Sequence, residues 1–343
     1  MDTTSVAISV VSPFYNKSAL LDGVIRKMVA TLNMQFGEDW EFILVNDGST
    51  DNSLEVAQDA IRSLTCPRIR LLSLPWNFGR GRALKSGIDA AQGKIIVTTE
   101  ADGSWGEDII NRLYDTITAD PRVHCVVASV HLPGGGLVNV PFQRVLLTTI
   151  GNWIIRTLFV SDISMNTGMT RAYRREVIQP LITEENGKEF HLEVLLKLNA
   201  LDFKIVEIPA TITWPERPCK GRISEKHRST TNIPQTINSH LRFAAMANPV
   251  RNFSLLAATC FLGSCFFLIW ALINLITREV SVNLALISLF LMLFTFVLVG
   301  FTIIFHQMSN SLRIQWSKPY KMSCPPSVVS AQEISLGGPR ADV

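Results

Sequence analysis

The chain is short of charge: Asp, Glu, Lys and Arg make up 18% of its 343 residues, against about 25% in an ordinary soluble domain. The shortage is concentrated towards the C-terminus. Residues 253–277 and 282–307 form two apolar runs almost free of charge, each as long as the roughly 20 residues that span a bilayer. A helical pair buried in a soluble core would have to be apolar all round over this length, so the runs read as a two-helix transmembrane hairpin. Only Arg278 and Glu279 bring charge to the connection. Basic residues flank the outer ends instead, with Arg242 and Arg251 before the first run and Arg313, Lys318 and Lys321 after the second. By the positive-inside bias, both termini and the polar N-terminal region are expected in the cytoplasm. Nothing resembles a signal peptide, because residues 1–5 are polar and 6–11 are too short for its apolar core. The six cysteines, at positions 66, 125, 219, 260, 265 and 324, lack metal-type spacing, which argues against a zinc module and suits a reducing compartment. A net charge of +3 excludes little.

What is present is an alternation. Segments 6–11, 40–46, 69–74, 95–99 and 123–129 are rich in Val and Ile and read as strands. Helical patterns fall between them near 19–34, 51–64, 80–92 and 107–119, with another near 188–200. This predicts an α/β fold, a mostly parallel sheet with helices on both faces. In such sheets ligands bind beyond the carboxyl ends of the strands, and three strand ends carry unusual chemistry. The first leads into Ser12-Pro13-Phe14-Tyr15-Asn16, the second into Asn46-Asp47-Gly48-Ser49-Thr50-Asp51, and the fourth into Glu100-Ala101-Asp102.

Carboxylates at the tip of a buried strand call for a cation. A divalent metal holding a diphosphate would meet Glu100 and Asp102, although three letters alone fit an acidic loop better. Asp47, set before a glycine at a strand end, is a better functional candidate than Asp51, which reads as a helix cap. The segment Trp76-Asn77-Phe78-Gly79-Arg80-Gly81 precedes a helix whose N-terminus could meet phosphate. It is not a dinucleotide fingerprint, because its glycine spacing differs and it follows the wrong strand.

The division expected is a catalytic domain over 1–230, an amphipathic interface helix over 231–250, two transmembrane helices over 251–308 and a polar tail over 309–343. Within the first, the apolar-aromatic stretch near 139–159 suits either a core helix or a helix in the bilayer interface. The basic stretch 217–228, with Arg217, Lys220, Arg222, Lys226 and Arg228, is either a solvated charge run or a site for phosphate or lipid head groups.

Taken in order, these motifs resemble a family 2 glycosyltransferase of the GT-A fold, in the dolichol-phosphate mannosyltransferase group with its bacterial polyprenyl-phosphate relatives. Further matches are Thr167-Gly168-Met169-Thr170-Arg171-Ala172-Tyr173, Phe190-His191-Leu192-Glu193, and Arg217 with Gly221 and Ser224. The resemblance implies that Pro13, Tyr15, Asn16, Asp47, Asn77 and Gly79 bind the nucleotide. It implies that Asp102, with Glu100, binds Mg²⁺ or Mn²⁺, that Arg144 and Thr148 hold the lipid phosphate, and that Arg217 lies near the transferred group. The chain departs from the family pattern at Glu100 (usually Asp), Ser104 (usually Gln), Thr148 (usually Ser) and Val130, where relatives often carry Arg.

The implied reaction is transfer of a sugar from a UDP- or GDP-linked donor to polyprenyl phosphate, by single displacement with inversion. A metal and basic groups would neutralise the departing diphosphate. An acceptor that is already anionic needs no strong general base, so the lack of a convincing His or Glu base is consistent. His191 and Glu193 read as structural. The expected partners are the membrane, the donor and the lipid phosphate, not nucleic acid, with self-association left open. An alternative is the same donor chemistry on a glycolipid or polysaccharide hydroxyl, with Glu193 or Asp162 as base. A third is a non-catalytic scaffold.

Overall fold

The computed structural model describes residues 6–106, 108–139, 163–166, 168–213, 249–277 and 282–323. The first half alternates as expected: β1 (Ile8–Phe14), α1 (Ser18–Phe36), β2 (Trp40–Asn46), α2 (Ser53–Leu64), β3 (Ile69–Ser73), α3 (Arg80–Ala90), β4 (Ile95–Thr98), α4 (Ile109–Ala119) and β5 (Val123–Ser129). Then come β6 (Gly136–Val138), β7 (Arg171–Arg174), the one-turn α5 (Arg175–Ile178), α6 (Phe190–Ala200), β8 (Lys204–Pro209) and β9 (Thr211–Thr213). Two long helices follow, α7 (Pro249–Ile276) and α8 (Val282–Ser323).

Seven strands form one sheet in the order β3-β2-β1-β4-β7-β5-β8. All neighbours are parallel except β7, which runs antiparallel to both β4 and β5. Every residue of β2 is buried, as in a strand covered on both faces, and that is why it reads as a mostly apolar run; its buried Glu41 accepts from the Ser9 hydroxyl and the Gln92 N–H. In α1 the buried residues Leu21, Ile25, Val29 and Leu32 recur at helical spacing. That helix packs beside α2 and meets α4 through Phe36 and Tyr114, edge to face with centroids 5.1 Å apart. Helix α3 lies on β1 and β2 and touches α6.

Pro13 sits in a central strand without costing a ladder bond. Thr99 donates to the Val11 carbonyl on one side of β1, and Asp47 to the Phe14 carbonyl on the other. Successive residues alternate sides, so the donor missing at position 13 would face the side where pairing with β4 has already ended at Val11 opposite Thr98. The two strands part here and leave the sheet edge open.

The antiparallel β7 was not anticipated. Its sequence, Arg-Ala-Tyr-Arg, opens on a fully buried arginine. The Arg171 guanidinium donates to the carbonyls of His191 at 2.8 Å and Asn166 at 2.7 Å, which ties α6 and the segment before β7 to the sheet. Burial pushes the Cys125 thiol up to about 12 and raises the Tyr173 phenol, in both cases against the pull of the Arg171 charge. The small parallel pair β6–β9 was also not anticipated.

Helices α7 and α8 are long and apolar enough to cross a membrane, and only 11% and 17% of their most apolar stretches are buried. They pack antiparallel. Ser264 and Ser288 each donate to the other's carbonyl, at 2.9 and 3.0 Å, and Phe253 stacks on Phe305. Hydroxyl-to-carbonyl bonds satisfy polar atoms that lipid would leave unpaired. The expected polar tail begins later than position 309, because α8 continues unbroken to Ser323. Beyond the apolar run it rests on the globular part, with Arg313 paired to Asp202 and the Trp316 ring against Lys197. The interface helices expected near 139–159 and over 231–250, and the tail beyond Ser323, lie outside the described residues.

Replacing Arg171 with Met should remove the guanidinium's bonds to the His191 and Asn166 carbonyls and lower stability by about 3 kcal/mol. Thermal unfolding of the full chain in detergent reads this; a Tm unchanged from wild type would show that the arginine does not hold α6 to the sheet.

Candidate functional site

The carboxyl ends of β1, β2 and β4 lie side by side, and their loops are bound to one another. Asn16, at positive φ, accepts the Thr50 N–H at 2.9 Å and donates to the Thr50 hydroxyl at 3.1 Å. The Lys17 N–H donates to Ser53 Oγ at 2.7 Å. Asp51 accepts the N–H of Ser53, the first residue of α2, which fits a capping role. Burial pulls its carboxyl upward, but hydrogen bonds from Ser53 and Ser18 outweigh that and hold it below the usual range.

Asp47 is buried and joins the second strand end to the third. Its carboxylate accepts the N–H groups of Phe78 at 3.0 Å and Gly79 at 3.1 Å. Burial raises its carboxyl above the ordinary value, and those two N–H groups only partly offset this. Gly48 makes the approach possible. Its φ is +63°, and a Cβ there would lie 2.2 Å from the Trp76 carbonyl carbon. The turn leaves Trp76 62% and Phe78 38% exposed, their rings 5.0 Å apart, with Asn77 exposed between them. Tyr15, on the neighbouring loop, is 39% exposed.

The acidic pair follows β4. Asp102 turns back on itself, with Oδ1 accepting the Ser104 N–H at 3.0 Å. Glu100 Oε2 accepts from Trp105 Nε1 at 3.3 Å and from the Ser104 hydroxyl at 3.4 Å. Its Oε1 faces Arg80 Nη1 at 3.8 Å. Burial, and next the Asp102 charge, push the Glu100 carboxyl up, while Arg80 pulls it down. Arg80 is therefore one cation that meets the acidic strand end, on its Glu100 side. The sequence carried a signal for it, an arginine opening the helix that enters β4, but nothing local linked it to Glu100. Behind the acidic loop a largely apolar cavity of about 210 Å³ lies between Val24 and Met28 of α1 and Ile109 and Ile110 of α4.

The N-terminus of α3 is less available to phosphate than expected. The N–H groups of Gly81 and Arg82 both donate to the Asn186 carbonyl, at 2.7 and 3.2 Å. Glu193 is also committed: it accepts the Glu184 and Glu185 N–H groups and pairs with Lys197 at 2.6 Å, and both members of that ion pair are buried. That bonding leaves it poorly placed to act as a base. Burial, then the charges of Arg171 and Arg80, hold the His191 imidazole well below its usual value. Arg144, Thr148, Asp162 and Arg217 lie outside the described residues. The Thr213 N–H donates to the Ser104 carbonyl at 2.8 Å, and Trp105 bridges to Ile212. In the sequence Arg217 follows the end of β9 by four residues, and Arg144 follows the end of β6 by six.

A family model described as Glycosyl transferase family 2 matches residues 9–182, which include all three strand-end loops. The chain is 26% identical over 223 residues to a dolichyl-phosphate beta-glucosyltransferase of Trichomonas vaginalis, a match covering 62% of this chain and 65% of that protein. It is 29% identical over 180 residues to the polyprenol monophosphomannose synthase of Mycolicibacterium smegmatis, covering 51% and 67%. An undecaprenyl-phosphate 4-deoxy-4-formamido-L-arabinose transferase of Pectobacterium carotovorum is 30% identical over 175 residues, covering 51% of each chain. The matches thus span half to two thirds of these relatives. Among solved structures it is similar to the glucosyl-3-phosphoglycerate synthase of Mycobacterium tuberculosis crystallised with Mn²⁺, uridine diphosphate and phosphoglyceric acid (TM-score 0.48, 18% identity, 62% of this chain and 72% of that one).

Gly48 and Gly37 share a similar positive φ, but nothing lies within 4 Å of a Cβ built at Gly37. Gly37, at φ +60° and ψ −108°, lies outside the left-handed region open to other residues, so Gly37→Ala should cost backbone strain of about 1–3 kcal/mol, whereas Gly48→Ala adds a clash with backbone and should cost clearly more. Equal melting shifts for the two variants would contradict the close approach of the two loops.

Proposed function

Because the chain belongs to glycosyl transferase family 2, we propose that it moves a sugar from a nucleotide-sugar donor to polyprenyl phosphate at a membrane surface. The observation that carries this reading is the acidic pair Glu100 and Asp102, set on the same sheet edge as Asp47 in a chain that ends in two bilayer-length apolar helices. The relatives named for dolichyl, polyprenol and undecaprenyl phosphate support the acceptor class.

The donor set suits a hard divalent cation, Mg²⁺ or Mn²⁺. Among the described residues no cluster of three or more His, Cys, Asp and Glu side chains forms a closed cage. Two carboxylates alone fit an ion that takes its remaining ligands from phosphate and water. Asp102 would bind it directly, and the longer Glu100 directly or through water; once bound, the ion would neutralise the departing diphosphate. Asp47 braces the Phe78–Gly79 turn, and Tyr15, Asn77 and the exposed Trp76 and Phe78 surround the place for the nucleoside. Pro13 and Asn16 shape the first loop beside it. Arg80 offers a second positive charge to the diphosphate.

The acceptor attacks the anomeric carbon as a ready-made anion, in a single displacement that inverts the centre. No described side chain is needed to remove a proton, which agrees with the engagement of Glu193 in an ion pair. Arg144 and Thr148 are the proposed lipid-phosphate residues and Arg217 the basic residue near the transferred group. Strand β9, which precedes Arg217 in the sequence, is paired with β6 and bridges to Trp105 just after the acidic loop. Inserted as a hairpin, α7 and α8 would hold this edge at the bilayer surface, with the catalytic part and both termini cytoplasmic.

Asp102→Ala should abolish metal-dependent turnover of a sugar nucleotide with polyprenyl phosphate, a loss of at least about 10²-fold, while Glu100→Asp should preserve it. An active Asp102→Ala enzyme would remove the acidic pair from the reaction.

A further inference from the structure

A series of contacts joins the end of α8 to the acidic loop. The Trp316 ring lies 5.0 Å from Lys197 Nζ, and one turn earlier Arg313 pairs with Asp202 at the end of α6. Buried Lys197 donates to Glu193 Oε1 at 2.6 Å and to the Ile182 carbonyl at 2.9 Å. Glu193 Oε1 and Oε2 accept the Glu184 N–H at 2.9 and 3.1 Å, and Oε2 accepts the Glu185 N–H at 2.9 Å. The next carbonyl along, that of Asn186, takes the N–H groups of Gly81 and Arg82. Arg80, at the head of α3, faces Glu100.

There is little slack in this series. A Cβ at Gly79 would lie 2.5 Å from the Asn186 carbonyl oxygen, and one at Gly81 2.6 Å from that of Glu185. The 184–187 loop and the start of α3 are therefore in backbone contact, and a shift of one displaces the other. Lys197 is the weak point at the other end. Its ammonium is out of water, balanced by one carboxylate, one carbonyl and an aromatic face. Without the ring above it, water would draw the ammonium outward and loosen its grip on Glu193.

We infer that Trp316, Lys197 and Glu193 are positioning residues, which set Arg80 against Glu100 only while the end of α8 is docked on α6. The catalytic meaning of this linkage rests on the proposed reading of the acidic loop; the linkage itself does not. Coupling of this kind needs a perturbation at one end and a readout at the other.

The experiment is hydrogen exchange on the full chain in lipid nanodiscs, comparing wild type, Trp316→Leu and Trp316→Phe, with donor kinetics on the same preparations. Trp316→Leu keeps apolar bulk but removes the aromatic face; Trp316→Phe keeps a face. In Trp316→Leu the amides of Gly81, Arg82, Glu184 and Glu185 should exchange about tenfold faster, and the donor KM should rise by a similar factor with kcat within about twofold. Trp316→Phe should match wild type in both. Unchanged exchange in Trp316→Leu, or equal effects in the two variants, overturns the inference. So does faster exchange with an unchanged donor KM, which would stop the linkage short of Arg80. If the wild-type chain transfers no sugar, the proposed function fails, and the exchange rates still decide whether α8 holds the 184–187 loop.

Discussion

Two carboxylates on one short strand end repel each other, and the site is arranged around that repulsion. Glu100 and Asp102 are separated by one residue, and burial raises the cost of ionising Glu100 beyond what its neighbour already adds. The Arg80 guanidinium offsets part of that cost from 3.8 Å away. Its position depends on the start of α3, which is pinned by Asn186, and the 184–187 loop depends in turn on Glu193 and Lys197. A cation arriving with a diphosphate would complete what Arg80 only half supplies. The sheet makes the approach possible because β4 ends before β1 does, and Pro13 occupies the position where no donor is needed.

Much of this was legible in the sequence, for identifiable reasons. Strands 40–46 and 123–129 have the expected bounds because both faces are covered, so each is a mostly apolar run between breakers, interrupted only by Glu41 and His124 near its start. The helices between them show the 3.6-residue period and begin or end within a few residues of expectation. The acidic residues at the ends of β2 and β4 could be located because a carboxylate directly after an apolar strand is conspicuous. What could not be read depends on partners distant in sequence. Strand β7 carries a buried Arg171 whose bonds go to His191 and Asn166, which contradicts the apolar pattern of a central strand. The bond from Asp47 to the Phe78 and Gly79 amides involves backbone, which leaves no residue-type signal. The start of α3 looks open to phosphate until Asn186 is seen to occupy two of its donors. The extension of α8 past position 309 is polar because part of it lies on the globular domain rather than in an apolar environment.

The two halves of the molecule serve one another chemically. A sheet edge with two acids and a nearby arginine could hold a diphosphate through a bridging divalent cation, but on its own it does not favour one acceptor over another. The apolar hairpin does, because it would keep that edge where polyprenyl chains reside. A phosphate acceptor also fits the side chains available: Glu193 is paired with Lys197, and burial, then two nearby arginines, make the buried His191 a weak proton acceptor. Chemistry that needed a hydroxyl proton removed would find little help among the described residues.

The most direct measurement incubates the chain in membranes with polyprenyl phosphate and a donor labelled in the sugar, then treats the lipid extract with mild acid. The account predicts a labelled lipid that releases its sugar under mild acid, as a sugar held through an anomeric phosphate does. A labelled lipid that survives the treatment would place the sugar on a hydroxyl and contradict it.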